Sequence, residues 1–174
     1  MQEKPRFIAT EAGPIENTDG GREFADKVIA SVDKMDFNKI DFYIINSISS
    51  LKNKIEKDEE GLKLLNPDLE DFVKKQISEL KEKESGLISI HSAIFKNNQL
   101  SFEQTSEVLN LITANSRLYK EKSKEDAVKI MAAEIFLRRT LAKKEKEQKE
   151  KDVESPKFID NATKNKEKKR KTGG

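Results

Sequence analysis

The sequence predicts an all-α protein, an irregular bundle of about five helices with a disordered N-terminal arm and a basic C-terminal tail. Apolar residues recur with helical spacing in five segments, and helix-start signals precede them. Of the 174 residues, 38% are charged and 34% are hydrophobic, against about 25% and about 45–50% in typical globular domains. This balance predicts solvated helix faces or disordered ends. We therefore divide the chain into a flexible arm (1–20), a helical domain (21–150) and a disordered tail (151–174).

The most apolar stretch, residues 123–141, predicts the central helix. Ser123 followed three residues later by Asp126 is similar to a capping box, in which side-chain oxygens accept bonds from unpaired backbone N–H groups at a helix start. Over residues 127–137 only one lysine and one glutamate interrupt the apolar residues. A helix that is apolar around most of its circumference must be covered by several neighbours.

Two helices are predicted before the middle of the chain. Thr18 or Asp19 can cap a first helix over residues 22–35, and Asp36 can cap a second over residues 39–60. Their apolar residues recur at spacings of three and four, which places them on one face: Phe24, Val28, Val32 and Met35 in the first, and Ile40, Ile44, Ile48, Leu51 and Ile55, with Phe42 and Ile45 beside them, in the second.

The clearest start signal is Asn66-Pro67, because Asn accepts from free N–H groups and Pro at the first helical position has no N–H to lose. It predicts one long helix over residues 67–96. A short strand is the alternative for residues 88–94, where apolar residues alternate, but no partner strand is visible. The predicted inner face comprises Leu69, Phe72, Val73, Ile77, Leu80, Leu87, Ile88, His91, Ile94 and Phe95.

A capping box formed by Ser101 and Gln104 predicts the fourth helix, over residues 102–120. The fifth helix loses its apolar stripe after Leu141, and the Lys/Glu-rich segment that follows can extend it only as a solvated helix. Ser155-Pro156 is predicted to break any helix there. No internal repeat and no sustained heptad pattern is visible.

Several classes of protein are excluded or disfavoured by composition. The chain has no Cys, which excludes disulfides, thiol catalysis and Cys-rich zinc sites. No apolar run resembles a signal peptide, and none reaches the roughly 18 residues of a membrane span. The expected compartment is the cytoplasm, and export into a host cell without a cleaved signal peptide stays open.

No catalytic, cofactor-binding or metal-binding residues are predicted. His91 is the only histidine and lies on an apolar face, so we interpret it as a packed structural residue. Glu84 and Glu134 lie in line with apolar stripes and are interpreted as boundary salt-bridge residues, with Arg117, Arg138 and Arg139 as candidate partners. A di-iron helical bundle needs Glu-x-x-His on more than one helix, which one histidine cannot supply.

The C-terminal tail is the segment with a clear electrostatic consequence. From Lys143 onward there are 12 Lys/Arg and 7 Asp/Glu, a net +5, whereas the remainder has 22 and 25, a net −3. Point charges without interleaved aromatic residues can neutralise phosphates but cannot read bases. The candidate polyanion-binding residues are Lys164, Lys166, Lys168, Lys169, Arg170 and Lys171.

These observations predict a non-enzymatic protein–protein interaction module, such as an adaptor, scaffold or chaperone, or a secreted bacterial effector that acts by binding. The effector hypothesis arises because the tail is similar in composition to the charged C-terminal signals of bacterial type IV secretion substrates. The alternative function is a nucleic-acid-associated protein that binds phosphates through the tail, with weak contact to nucleic acid or an anionic surface. The expected partner is therefore another protein, and no cofactor is expected.

Overall fold

The computed structural model of the chain describes the backbone of residues 5–173 and the side chains of residues 5–151. Five helices and a two-stranded antiparallel sheet follow one another along the chain, which confirms the predicted all-α bundle. Their bounds are β1 Phe7–Thr10, β2 Gly13–Glu16, α1 Asp19–Asp33, α2 Phe37–Leu62, α3 Pro67–Asn97, α4 Phe102–Lys122 and α5 Lys124–Gly173.

The predicted capping residues begin the helices. The side chains of Thr18 and Asp36 accept hydrogen bonds from backbone N–H groups in the first turns of α1 and α2. The Asn66 side chain, just before Pro67, accepts one from the backbone N–H of Asp68 in α3. Ser101 and Gln104 form the reciprocal capping box of α4. Each of these bonds uses one of the N–H groups that a helix start leaves unpaired, so local chemistry sets where each helix begins.

Helix α5 occupies the centre of the bundle, as its apolar content predicts. Its Ile130, Ala133 and Leu137 belong to the main core, which includes buried residues of α2, α3 and α4. Its Ala132 and Ile135 face the other way and pack against α1. The main core is built from residues that recur at helical spacing: Ile40, Tyr43, Ile44, Leu87, Ile90, Ile94, Val108 and Ile112 accompany those of α5.

Helices α2 and α3 form a long antiparallel hairpin. Asp41 contacts His91 near one end, and Glu59 pairs with Lys81 farther along, so the two helices run past each other in opposite directions. Residues 88–94 lie within α3, so the alternative strand there is wrong. In this helix Ile90 and Ile94 are buried in the core, whereas Ile88 is exposed, so the alternating apolar residues do not share one face.

The predicted flexible arm (1–20) is wrong for residues 7–16, which form a β-hairpin. Ile8 pairs with Ile15, and Gly13 takes a left-handed backbone angle, φ 95°, which favours glycine. The Thr10 hydroxyl donates to the Gly13 carbonyl at 2.7 Å. Ile15 is buried, and Glu11 bonds to Arg139 of α5, which ties the hairpin to the bundle.

Part of the predicted inner face of the hairpin α2–α3 is exposed. Leu69, Phe72 and Phe95, together with Phe42 and Ile45, are among the exposed large apolar residues. The spacing is helical, but Leu69 and Phe72 lie where the hairpin extends beyond α4. Phe42, Ile45 and Phe95 lie on sides of α2 and α3 turned away from the core residues. These residues therefore lie on the surface rather than in the core.

The bounds of α5 run past Ser155-Pro156, where the sequence predicts a break. The tail residues 152–174 lie outside the described side chains. The disorder predicted for 151–174 stays a prediction. No helix of the described part of the chain is both long and apolar enough to cross a membrane.

Candidate interaction surfaces

The far end of the α2–α3 hairpin extends beyond the rest of the bundle. The last turns of α4 lie beside α2 at a cleft lined by Ser47, Leu51, Tyr119 and Lys122. Beyond Leu51, α2 continues for eleven residues to Leu62, about 16 Å at 1.5 Å per residue. This extension and the start of α3 bury Ile55 and Ile77, each 6% exposed.

The extension carries exposed apolar residues at its end. Leu64 in the connecting turn is 90% exposed, and Leu69 and Phe72, one turn apart in α3, are 52% and 61% exposed. We call these three residues the hairpin tip. Around them, residues 58–71 contain six Asp/Glu and one Lys, a net −5. The hairpin tip is thus an apolar patch with an acidic rim. The net charge of this rim is opposite in sign to that of the tail.

A second exposed apolar region lies on the outer side of the same hairpin, nearer the bundle. Phe42 and Ile45 of α2 and Ile88 and Phe95 of α3 are exposed large apolar residues, and Phe95 is 84% exposed. Because Asp41 contacts His91 and the helices are antiparallel, Ile45 and Ile88 lie one turn from that contact in the same direction. We call Ile45, Ile88 and Phe95 the outer face. Phe42 instead lines a cavity with Lys34, Lys39 and Lys129.

His91 bonds to a single acidic residue. Its Nδ1 lies 2.7 Å from Asp41 Oδ2 and 2.9 Å from Asp41 Oδ1, and the Asp41 side chain is 13% exposed. The pair joins α2 to α3 at the edge of the core. Among the described side chains, Asp41 is the hydrogen-bond partner of His91, and the arrangement fits the structural role predicted for His91.

The two glutamates singled out in the sequence differ. Glu134 is buried, and its Oε2 lies 3.5 Å from Arg138 NH2, while its Oε1 has no hydrogen-bond partner in the described part of the chain. Glu84 is half-buried and makes no ion pair with the described side chains. Arg117 pairs with Glu121, and Arg139 pairs with Glu11. Neither arginine therefore pairs with Glu84 or Glu134, the two glutamates for which they were candidate partners.

A polar cleft lies between α2 and α4, beside the Tyr43–Tyr119 contact. These rings meet edge to face with centroids 4.9 Å apart, and the Asn46 amide donates to the Tyr119 hydroxyl at 3.2 Å. Burial raises the pKa of Tyr43 to about 12, and Tyr119 and Asp126 add to the shift. The cleft, of about 640 Å³, is lined mainly by Ser, Asn and Leu side chains, with Tyr119 and two lysines.

No group of three or more His, Asp or Glu residues in the described region could hold a metal ion. The six candidate polyanion-binding residues, Lys164, Lys166, Lys168, Lys169, Arg170 and Lys171, lie outside the described side chains, so their role stays a prediction.

The exposure of these apolar residues was not predicted from the sequence, although the sequence contains a signal for the outer face. Residues 42–51 and 85–95 contain no Asp, Glu, Lys or Arg, in a chain where 38% of residues are charged. For the hairpin tip, the signal is the length of α2 and α3 compared with that of α4.

Comparison with known proteins adds no relative: no protein-family model matches the chain, and neither a curated protein nor a solved structure is significantly similar to it.

Proposed function

We propose that the chain is a non-enzymatic helical protein–protein interaction module that binds its partner through the hairpin tip. The observation that carries the proposal is the exposure of Leu64, Leu69 and Phe72 at the end of a projecting helical hairpin. Fully burying a large apolar side chain contributes about 1.5–3 kcal/mol. Exposed apolar residues rimmed by polar ones mark protein–protein interaction sites.

The acidic rim defines the kind of partner. Residues 58–71 carry a net −5, although Glu59 and Glu70 are paired with Lys81 and Lys74. A complementary partner presents an apolar ridge flanked by Lys or Arg, since opposite charges around an interface accelerate and orient encounter. An adaptor, a scaffold, a chaperone or an exported bacterial effector would each use such a surface, in the cytoplasm of the producing cell or of a host.

Paired variants test the proposal. Affinity capture with the full chain is compared with Leu69→Ser/Phe72→Ser and with the control Leu118→Ser, which changes a similarly exposed apolar residue of α4. Proteins bound by the hairpin tip should fall at least about tenfold with the double variant and persist with the control. Their recovery should also decrease as salt increases, because the rim attraction is screened.

The opposite outcomes are equally definite. Equal recovery with the double variant would show that the hairpin tip does not bind the partner. Recovery that depends on residues 152–174 and is abolished by nuclease would favour the nucleic-acid alternative instead.

A further inference from the structure

A cavity of about 450 Å³ lies where the start of α2 meets the end of α1 and the first turns of α5. Its lining comes from all three helices and from the turn that joins α1 to α2. Small-molecule sites in proteins typically measure about 300–1,000 Å³, so the cavity has the size for a compact organic molecule. None of its residues belongs to the hairpin tip, so a ligand here is independent of the proposed function.

The inner part of the cavity is apolar and aromatic. Tyr43 is 7% exposed, and its ring meets that of Phe42 edge to face at a centroid distance of 5.4 Å. The half-buried Met35 lines the same space. Phe42 is 57% exposed in the free chain, so a ligand in the cavity would cover part of its ring. These side chains favour an aromatic or aliphatic group on the ligand.

Three lysines from three different elements surround this apolar part. Lys34 follows α1, Lys39 lies in the first turn of α2, and Lys129 lies on α5. All three are exposed whereas Tyr43 is buried, so the positive charges lie at the mouth of the cavity. Asp126 is the one carboxylate in the lining, and three cations and one anion give a net +2. The charge at the mouth therefore favours an acidic group on the ligand.

The ammonium groups of these lysines keep donors for a ligand. Lys39 Nζ donates to the Lys34 carbonyl at 2.7 Å, which uses one of its three N–H donors. Lys129 Nζ lies 3.1 Å from Glu125 Oε1, and both side chains are exposed. An exposed pair of this kind contributes little, so a ligand anion can replace it. Lys34 makes no ion pair with the side chains of residues 5–151.

The Tyr43 hydroxyl offers a further donor. The ring contacts Phe42 and Tyr119, but the hydroxyl makes no hydrogen bond with the described residues. The fully buried side-chain atom that lacks a partner in the described region is Glu134 Oε1, so the Tyr43 hydroxyl reaches solvent although its ring is buried. Because burial raises the pKa of Tyr43 to about 12, the group is a neutral O–H donor at neutral pH.

We propose that this cavity binds a small organic anion, a carboxylate or phosphate ester whose aromatic or aliphatic group lies against Met35, Phe42 and Tyr43. Its acidic group meets the lysines at the mouth through charge-assisted hydrogen bonds, which are stronger than neutral ones. A neutral aromatic compound leaves the lysines unused, and inorganic phosphate leaves the apolar walls unfilled, so both parts are required. Cations that converge on one space from three elements favour a compact ligand over a helix of another protein, which would need an extended groove.

The test is a nuclear magnetic resonance titration of the full chain with naphthyl phosphate, followed at the ring resonances of Phe42 and Tyr43. We expect saturable binding at one site with a dissociation constant below about 1 mM. Naphthol lacks the charge and inorganic phosphate lacks the ring, so each should bind at least about tenfold more weakly. Naphthoate, titrated in the same way, shows whether the site prefers a carboxylate to a phosphate ester.

Matched lysine variants separate the cavity from general charge attraction. Lys34→Gln/Lys129→Gln should weaken binding of naphthyl phosphate at least about tenfold, because each lost hydrogen bond to a charged group contributes about a factor of ten. The control Lys52→Gln/Lys75→Gln removes the same charge from exposed positions outside the cavity and should bind like the wild type. Tyr43→Phe keeps the ring and should weaken binding about two- to tenfold. Circular dichroism and melting curves establish that each variant remains folded.

Three results would each overturn the proposal: no saturable shift at Phe42 and Tyr43, equal affinity for naphthol, or unchanged affinity in a folded Lys34→Gln/Lys129→Gln protein. Equal weakening in the two double-lysine variants would overturn it as well, because attraction would then depend on net charge and not on the cavity. Capture of a protein through the hairpin tip should be the same in all of these variants, so failure here is distinguishable from failure of the proposed function.

Discussion

His91 of α3 and Asp41 of α2 lie 2.7 Å apart, between Nδ1 and Oδ2, and join these two antiparallel helices at the edge of the core. The His91 side chain is half-exposed, while that of Asp41 is nearly buried. Removing the imidazole leaves a poorly solvated carboxylate without this bond, which costs more than the bond itself contributes. The pair thus connects α2 to α3.

We expect His91→Gln and Asp41→Asn each to lower the free energy of unfolding by about 1–2 kcal/mol, and the double variant to lose less than the sum. Chemical denaturation of the four proteins measures this coupling. Binding of partner protein should be nearly unchanged in His91→Gln. Loss of binding in a His91→Gln protein that remains folded would assign His91 a functional role.

Ile135 tests the position of the central helix. It is 1% exposed and lies between α5 and α1, so Ile135→Ala should cost about 2–5 kcal/mol. Phe136 is only partly buried, with its ring edge to face against Phe37 at a centroid distance of 5.4 Å, and Phe136→Ala should cost less than Ile135→Ala. Thermal melts of both variants give the order, and a melting temperature of Ile135→Ala within about 1 °C of wild type would contradict it.

The features predicted correctly from the sequence depend on residues that are close together in the chain. The caps at Asp36, Asn66 and Ser101 act within a few residues, and the central helix follows from its own apolar content. The β-hairpin was missed because its strands have four residues each, which is too short for alternation to be distinguished from a loop. Its stability also depends on a bond to Arg139, more than a hundred residues away.

The exposure of Leu69 and Phe95 could not be predicted from spacing for a different reason. Helical periodicity shows that residues share a face, but the helices packed against it decide which faces are covered. Leu69 lies beyond the reach of α4, and Phe95 lies on the side of α3 away from the core. The candidate surfaces therefore required the relative lengths and packing of α2, α3 and α4.

Glu134 offers a stabilising substitution. It is 8% exposed, and its Oε1 has no hydrogen-bond partner in the described region. Glu134→Met keeps a similar volume and removes the buried charge, so we expect the free energy of unfolding to increase by about 1–3 kcal/mol. Glu125→Met, at an exposed position of the same helix, should change it by less than about 0.5 kcal/mol. Destabilisation by Glu134→Met would indicate that the ion pair with Arg138 outweighs the cost of burial.

The bond between Glu11 and Arg139 should make docking of the β-hairpin sensitive to acid. The Arg139 guanidinium, whose Nε donates to Glu11 Oε1 at 2.8 Å, lowers the pKa of Glu11 below its ordinary 4.5. A carboxyl whose pKa is lowered by folding stabilises the fold above its unfolded pKa, and this contribution is lost as pH falls through the folded pKa. The contact should therefore be complete above pH 4.5 and weaken below it.

Nuclear magnetic resonance titration of the Glu11 carboxyl measures this pKa directly. In Arg139→Gln, which cannot provide the charge, the pKa of Glu11 should return toward 4.5, and protonation of Glu11 should no longer release the hairpin from α5. Lys27→Gln alters a cation paired with another glutamate, Glu23, and should leave the Glu11 titration unchanged. An unchanged Glu11 pKa in Arg139→Gln would disprove the bond.

The basic tail provides the test of the nucleic-acid alternative. If Lys164 to Lys171 neutralise phosphates, the logarithm of the association constant should fall with the logarithm of salt concentration by about 0.7–0.9 per phosphate contacted. Six cationic residues are available there, so full engagement gives a slope of several units. The remainder of the chain before Lys143 has a net charge of −3 and should add little. Deletion of residues 164–171 should abolish binding to DNA, RNA and heparin alike, since point charges do not distinguish bases. Sequence-selective binding that survives the deletion and is insensitive to salt would instead place nucleic-acid recognition on the helical domain and reverse the order of the two functions.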